Sequence, residues 1–387
     1  MTTYTVLIIV CSIIIYSYLA DILAKKTKIP AALVLLLSGI ALRYLVDYLQ
    51  LKTLNFNLLL PTLGTIGLIM IVFEGALELN YEHSKKRLIA KAFLAAFIVL
   101  VVSALLIAGV FFYFSGISFK VCLLNAIPFG VISSAIAIPS VAGLMPEKKE
   151  FIIYESSFSD ILGIVFFNFM STNEQIDFSS FAHLALETIE IVFIAFLSCL
   201  FLLYLLGRLT HHVKFVLIIA ILILVYGICR QWHLPALVIV FAFGLFLKNV
   251  DLIKNSFFNQ FFLYKRYNTD MHQLHQISAE SAFLLRTFFF IIFGFTINLA
   301  ELATAEVVQT GLIIFVITYL VRYVILRLTL KASPSPEFYI TPRGLISILL
   351  FYSIADSLKI FPYESALLLF TVLATNLVMT FGLVKTK

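Results

Sequence analysis

The sequence predicts an all-α integral membrane protein of about thirteen transmembrane helices, built as an inverted repeat with two interrupted helices. Three observations carry that prediction. Hydrophobic residues make up 62% of the 387 and charged residues 12%, with a mean hydropathy of +1.06. A water-soluble domain of that length cannot cover so much apolar surface. The apolar residues fall into thirteen runs of crossing length, and Lys and Arg collect in every second loop between them.

The runs lie near 4–23, 29–46, 57–79, 90–115, 118–144, 149–171, 182–206, 213–229, 232–248, 280–299, 305–327, 337–357 and 363–384. They are too long and too uniformly apolar for barrel strands, so helices must span. The first run follows Met1-Thr2-Thr3-Tyr4, which has no basic segment and no cleavage site, and is expected to stay as a helix. The loops after odd-numbered spans, with the C-terminal tail, hold nineteen Lys and Arg; the alternate loops hold five. The positive-inside rule then predicts an outer N-terminus and a cytoplasmic C-terminus in a multi-pass cell-membrane protein. The net charge of +6 is accounted for by those loops and calls for no nucleic acid. Cys11, Cys122, Cys199 and Cys229 sit in apolar runs without metal spacing and read as small buried hydrophobes. The sequence stops soon after span 13, so one transmembrane domain over 1–387 is expected, with no soluble regulatory domain.

Two pairs of spans look alike. Span 2 opens Ile29-Pro30-Ala31-Ala32-Leu33-Val34 and span 9 opens Leu234-Pro235-Ala236-Leu237-Val238, each with a glycine nine residues after its proline, Gly39 and Gly244. Span 3 ends Phe73-Glu74-Gly75-Ala76-Leu77-Glu78-Leu79-Asn80, and span 10 ends Phe293-Gly294-Phe295-Thr296-Ile297-Asn298-Leu299. Both pairs are offset by seven spans. An odd offset reverses orientation, so spans 1–6 and 8–13 form an inverted repeat joined by span 7. Such repeats mark secondary transporters, with the site at midplane. The same offset pairs span 5, Pro128-Phe129-Gly130 through Ser133-Ser134 to Pro139, with span 12, Thr341-Pro342-Arg343-Gly344. Proline removes a donor and frees a carbonyl. Freed carbonyls, serine hydroxyls and half-helix ends can coordinate a dehydrated cation.

Span 6 carries two acids at membrane depth, Glu155 and Asp160, which are functional candidates by default. Five residues apart, they point about 140° away from each other at about 100° per residue, so they do not share a proton. Ser156 lies one turn before Asp160, and Ser159 one turn after Glu155. Arg286, Arg322 and Arg343 lie inside spans, and a buried arginine stays charged and needs an acid. Arg343, beside the span-12 break, is the natural partner of one span-6 carboxylate. A Glu155–Arg343 pair would act as a strut and leave Asp160 as the titratable, cation-binding group. Arg322 reads as structural or charge-balancing, and Arg286 as a snorkelling residue. Glu74 either lines an inner funnel or is a solvated helix end. The seven histidines fall mostly in loops, and 249–279 reads as a cytoplasmic linker.

At these residues the chain resembles the bacterial NhaP-type sodium/proton antiporters of the monovalent cation:proton antiporter superfamily. The resemblance rests on Phe73-Glu74-Gly75, Glu155-Ser156 with Asp160, Phe288-Phe289-Phe290 and Arg343-Gly344-Leu345, and covers nearly the whole chain. It implies antiport of a monovalent cation against protons, with Asp160 as the shared carboxylate. Ser156, Ser159, Ser133 and Ser134 would lie around it, Glu155 would pair with Arg343, and Arg322 would stand where electrogenic relatives carry lysine. It implies that spans 5 and 12 cross, that core-type helices at 57–171 and 280–357 move against scaffold-type helices at 1–46, 182–248 and 363–384, and that the protein is a homodimer without a cofactor. The chain departs from the family at Ser159, where Asn or Asp is usual, and at Ala137-Ile138-Pro139, where Thr-Asp-Pro is usual. The ion therefore stays open among Na+, K+ and Li+, with Na+ first. A channel-like or sensory protein on the same scaffold is the rival reading. No His-Glu-x-x-His or Gly-x-Ser-x-Gly motif points to an enzyme.

Overall fold

The computed structural model describes residues 3–27, 29–49, 59–79, 82–173, 178–208, 214–232, 234, 236–252, 267–297, 299–330 and 335–385. Asn80, His211, His212, His233, Pro235, Lys265, Arg266 and Asn298 lie outside them. The regular secondary structure of the described residues is entirely helical, without strands. The helices are α1 Thr3–Thr27, α2 Ala31–Tyr48, α3 Leu59–Glu78, α4 Lys86–Ser115, α5 Phe119–Gly130, α6 Ser134–Ser140, α7 Pro146–Thr172 and α8 Phe178–Arg208. They continue with α9 Lys214–Gln231, α10 Ala236–Lys248, α11 Tyr267–Thr296, α12 Leu299–Leu302, α13 Ala305–Leu330, α14 Leu345–Tyr352 and α15 Glu364–Lys385. Every apolar run read from the sequence overlaps at least one of these helices. Among the described residues, six helical segments are long and apolar enough to cross a membrane unaided.

Each predicted break is present. Span 5 is α5 and α6 with an extended link at 131–133, and α5 ends two residues after Pro128. Span 12 is a short 3-10 turn at Glu337–Tyr339, an irregular stretch over 340–344 and then α14. One reading is corrected: 267–279, taken as part of a linker, is the first half of α11. The helix buries Tyr267, Asp270, Leu274 and Ser278 there, on a face spaced at three to four residues. The polar residues between them, including His272 and His275, hid that periodicity, and both histidines are helical rather than in a loop. Cys11 is exposed, unlike the other three cysteines.

The chain divides into two compact units. The first comprises 1–64, 87–163 and 284–387. In it α2 crosses α11 at the closest approach backbones allow. A Cβ on Gly39 would run into the Ile291 carbonyl, and one on Gly294 into that of Leu36. Only glycine at both positions permits this crossing. The second unit comprises 65–86 and 164–283. In it α10 meets α3 at Gly244, where a Cβ would lie 2.7 Å from that of Ala76, and Phe73 and Phe243 pack with ring centroids 5.9 Å apart. Ala195 of α8, Cys229 of α9 and Ala236 and Ile239 of α10 form its small-residue core. The inverted repeat relates the two crossings. Mapping span 2 to span 9 and span 10 to span 3 turns the Gly39 contact into the Gly244 contact.

Candidate functional site

α7 brings three positions against the break in span 5. Asp160, 5% exposed, accepts at one carboxylate oxygen, Oδ2, from the Ser134 amide at 3.0 Å and from the Ser134 hydroxyl. Its other oxygen, Oδ1, is buried without a hydrogen-bond partner. The Ser159 hydroxyl oxygen accepts from the Ile132 amide at 2.9 Å, filling a backbone group that the interruption leaves outside any helix. One turn further on, Gly163 lies so close to Val131 that a Cβ would overlap it. Positions 159, 160 and 163 share one face of α7, as three- and four-residue spacings require.

Span 12 closes the other side of the same break. The Ser133 amide donates to the Pro342 carbonyl at 2.9 Å, so the two irregular stretches are hydrogen-bonded to each other. A Cβ on Gly344 would sit 2.6 Å from the Ser133 hydroxyl oxygen, which demands glycine at the crossing. The Ser133 and Ser347 hydroxyls are buried there without partners.

The freed carbonyls go to arginines rather than remaining open to an ion. Arg343 Nε donates to the Phe129 carbonyl at 2.6 Å, at the C-terminal end of α5, where a cation is also favoured by the helix dipole. Its Nη1 donates to the Thr341 hydroxyl at 2.9 Å. Its backbone is held by the Thr375 hydroxyl at 3.1 Å and the Asn376 side-chain amide at 3.0 Å. Arg286 Nη1 donates to the Ala135 carbonyl at 3.0 Å. That carbonyl would bond the amide four residues on, but residue 139 is proline and has none. Arg286 thus belongs to the crossing and does not merely snorkel.

The expected Glu155–Arg343 pair is corrected. Glu155 is held by Arg322, whose Nη1 and Nη2 donate to its two oxygens at 2.9 and 3.0 Å, with both side chains at 1% exposure or less. Arg322 also donates to the Glu337 carbonyl at 3.1 and 2.7 Å and to the Ile340 carbonyl at 2.8 Å, filling its fork. The reason is axial level. Glu155 lies five residues, about 7.5 Å, along α7 from Asp160. Arg343 is committed at the level of the break, and α13 delivers Arg322 to the level of Glu155.

Of the four predicted serines, Ser134 alone is hydrogen-bonded to Asp160 among the described residues. Ser156 donates back to the Ile152 carbonyl at 2.8 Å, Ser159 braces the break, and Ser133 faces Gly344. Glu74 is half-buried near the end of α3. Sequence reasoning missed Glu337, a buried acid whose carboxylate lies 3.7 Å from Lys148 Nζ. The available signal was an acid at the first position of the run read as span 12.

This arrangement puts one carboxylate oxygen without a partner at a crossing of two interrupted helices, where Arg343 and Arg286 donate to backbone carbonyls while Arg343 Nη2 stays buried without a hydrogen-bond partner. No curated protein matches the chain in sequence. Two solved structures of the sodium proton antiporter MjNhaP1 from Methanocaldococcus jannaschii share its fold. The structure at pH 8 has a TM-score of 0.71 and 18% identity, covering 98% of this chain and 100% of that one. The electron-microscopy map gives a TM-score of 0.68 and 18% identity, over 100% and 98%. The transmembrane model of the sodium/hydrogen exchangers matches residues 9–386, and the chain belongs to that family.

Proposed function

We propose that the protein exchanges a monovalent cation, Na+ in the first place, for protons by alternating access, and that Asp160 binds either the cation or the proton. The observation that carries this reading is the buried Asp160 carboxylate, with one oxygen held by Ser134 and the other without a partner. A proton on that oxygen neutralises the group; so does a dehydrated cation. Either form can move through a low-dielectric passage that the bare carboxylate cannot. The family description and the printed name of the related structures both give sodium as the ion.

One proton per cation is the stoichiometry this site favours. Glu155 is tied to Arg322, and by the resemblance Ile138 stands where an aspartate is usual. Arginine does not release a proton at ordinary pH. The remaining parts of the proposal are those the resemblance implies. Core-type helices at 57–171 and 280–357 move against scaffold-type helices at 1–46, 182–248 and 363–384 in a homodimer within the cell membrane. From the residues themselves, the Lys and Arg bias of the loops puts the N-terminus outside and the C-terminus in the cytoplasm, and Glu74 at the end of span 3 lines the inner approach. Reconstitution into liposomes tests the reading. Na+ added outside should drive proton movement, with K+ and Li+ compared in parallel. Cation flux without proton movement would contradict antiport and favour the channel-like reading.

A further inference from the structure

Lys148 and Glu337 form an ion pair outside the site described above. Lys148 lies in the first turn of α7 and its side chain is 30% exposed, whereas the Glu337 side chain is 6% exposed. Lys148 Nζ donates to the Ser335 carbonyl at 2.6 Å and stands 3.7 Å from Glu337 Oε2, which has no hydrogen-bond donor. Seven residues separate Lys148 from Glu155, two turns of helix, so both project from one face of α7. That face is stitched twice to the same stretch: Lys148 to residues 335–337, and Glu155 through Arg322 to the Glu337 and Ile340 carbonyls. The stretch then runs into the irregular segment that meets Ser133.

The charges around the crossing are Asp160 and Glu155 on α7, Arg286 on α11, Arg322 on α13, and Arg343 and Glu337 on span 12. Glu337 has an ion partner, Lys148, whose side chain is 30% exposed. We propose that Lys148 and Glu337 are positioning residues that set the electrostatic potential at Asp160, and thereby the cation affinity, through net charge rather than as a strut. This rests on Asp160 being the shared binding site.

The physics gives a signature. A more negative potential favours a proton and a monovalent cation equally, because each carries one positive charge. Under competition the change therefore appears at alkaline pH, where the cation binds alone, and cancels at acid pH, where the two compete.

The experiment measures cation KM in proteoliposomes across about pH 6 to 9, the span over which proton competition develops in this reading. Lys148→Met, which removes a positive charge, should lower alkaline KM by on the order of threefold, and Glu337→Gln should raise it by a similar factor. The double variant should return to the wild-type value, Lys148→Arg should match wild type, and all curves should converge at acid pH. If Glu337→Gln does not fold, Lys148→Met and Lys148→Glu should give graded steps in one direction. Single variants that shift KM in the same direction, or a double variant that stays as far from the wild-type value as either single variant, would overturn the inference and leave a strut. A wild-type KM that does not vary with pH would instead sink the shared-site reading beneath it.

Discussion

Removing Arg322 should be among the most damaging single changes in the protein. Arg322→Met strips the partner from Glu155, a carboxylate 1% exposed, and leaves it buried and charged. Breaking a buried pair from one side costs about 3–5 kcal/mol. The same change removes donors from the Glu337 and Ile340 carbonyls, each buried acceptor adding roughly 1–3 kcal/mol if nothing replaces them. Glu155→Met leaves Arg322 with its three bonds to those carbonyls and should therefore cost less, about 3–5 kcal/mol. The double variant removes both charges and should be more stable than the sum of the single losses predicts, by roughly 1–3 kcal/mol. Unfolding free energies of the purified variants in mixed micelles measure all three. Glu155→Met combined with Arg343→Met should show no such recovery, because Arg343 binds the Phe129 carbonyl and not Glu155. Additive losses in the Glu155/Arg322 cycle, or recovery in the Glu155/Arg343 cycle, would refute the pairing.

Other changes should separate binding from architecture. Asp160→Asn should abolish exchange while the thermal unfolding midpoint stays near wild type, and retained exchange would remove Asp160 from the mechanism. Exchange should be electroneutral, so an imposed membrane potential should leave the initial rate unchanged; a rate that follows the potential would require a second moving charge. Gly39→Val should disrupt the α2–α11 crossing, because its Cβ meets the Ile291 carbonyl, and should cost about 1–3 kcal/mol or more; an unchanged unfolding energy would place the helices further apart than described. Gly163→Val should clash with Val131 and slow exchange more than it alters stability, read as a drop in maximal rate at constant expression.

Much of the architecture was legible because lipid imposes a simple rule: each crossing segment must be helical and apolar, and Lys and Arg label alternate loops. The breaks were legible because proline and glycine act locally, as Pro128, Pro139 and Gly344 do here. The repeat was legible at Gly39 and Gly244, and the structure's two glycine crossings, α2–α11 and α10–α3, are the pair that symmetry relates. What failed was pairing across the bundle. A sequence gives the angle of a side chain on its own helix but not which neighbouring helix faces it, nor at what depth. Glu155 therefore went to Arg343 in the sequence reading and to Arg322 in the structure. For the same reason the carbonyls freed by the breaks read as open ligands, although Arg343 and Arg286 fill those of Phe129 and Ala135. The start of α11 was obscured by polar residues on its exposed face, and Glu337 by its position at a span edge, where acids are ordinarily solvated.

The claim at the centre of this account is that one carboxylate serves both ions. Cation and proton would then exclude each other at Asp160, and linkage requires protons to weaken cation binding as strongly as the cation weakens proton binding. Cation titrations of exchange by the wild-type protein in liposomes, at fixed pH steps from about 6 to 9, measure this directly. The account predicts that KM for the cation rises steadily as pH falls while the maximal rate stays nearly constant. A KM that holds level while the maximal rate alone changes would place proton control at a separate group, and Asp160 would not be a shared site.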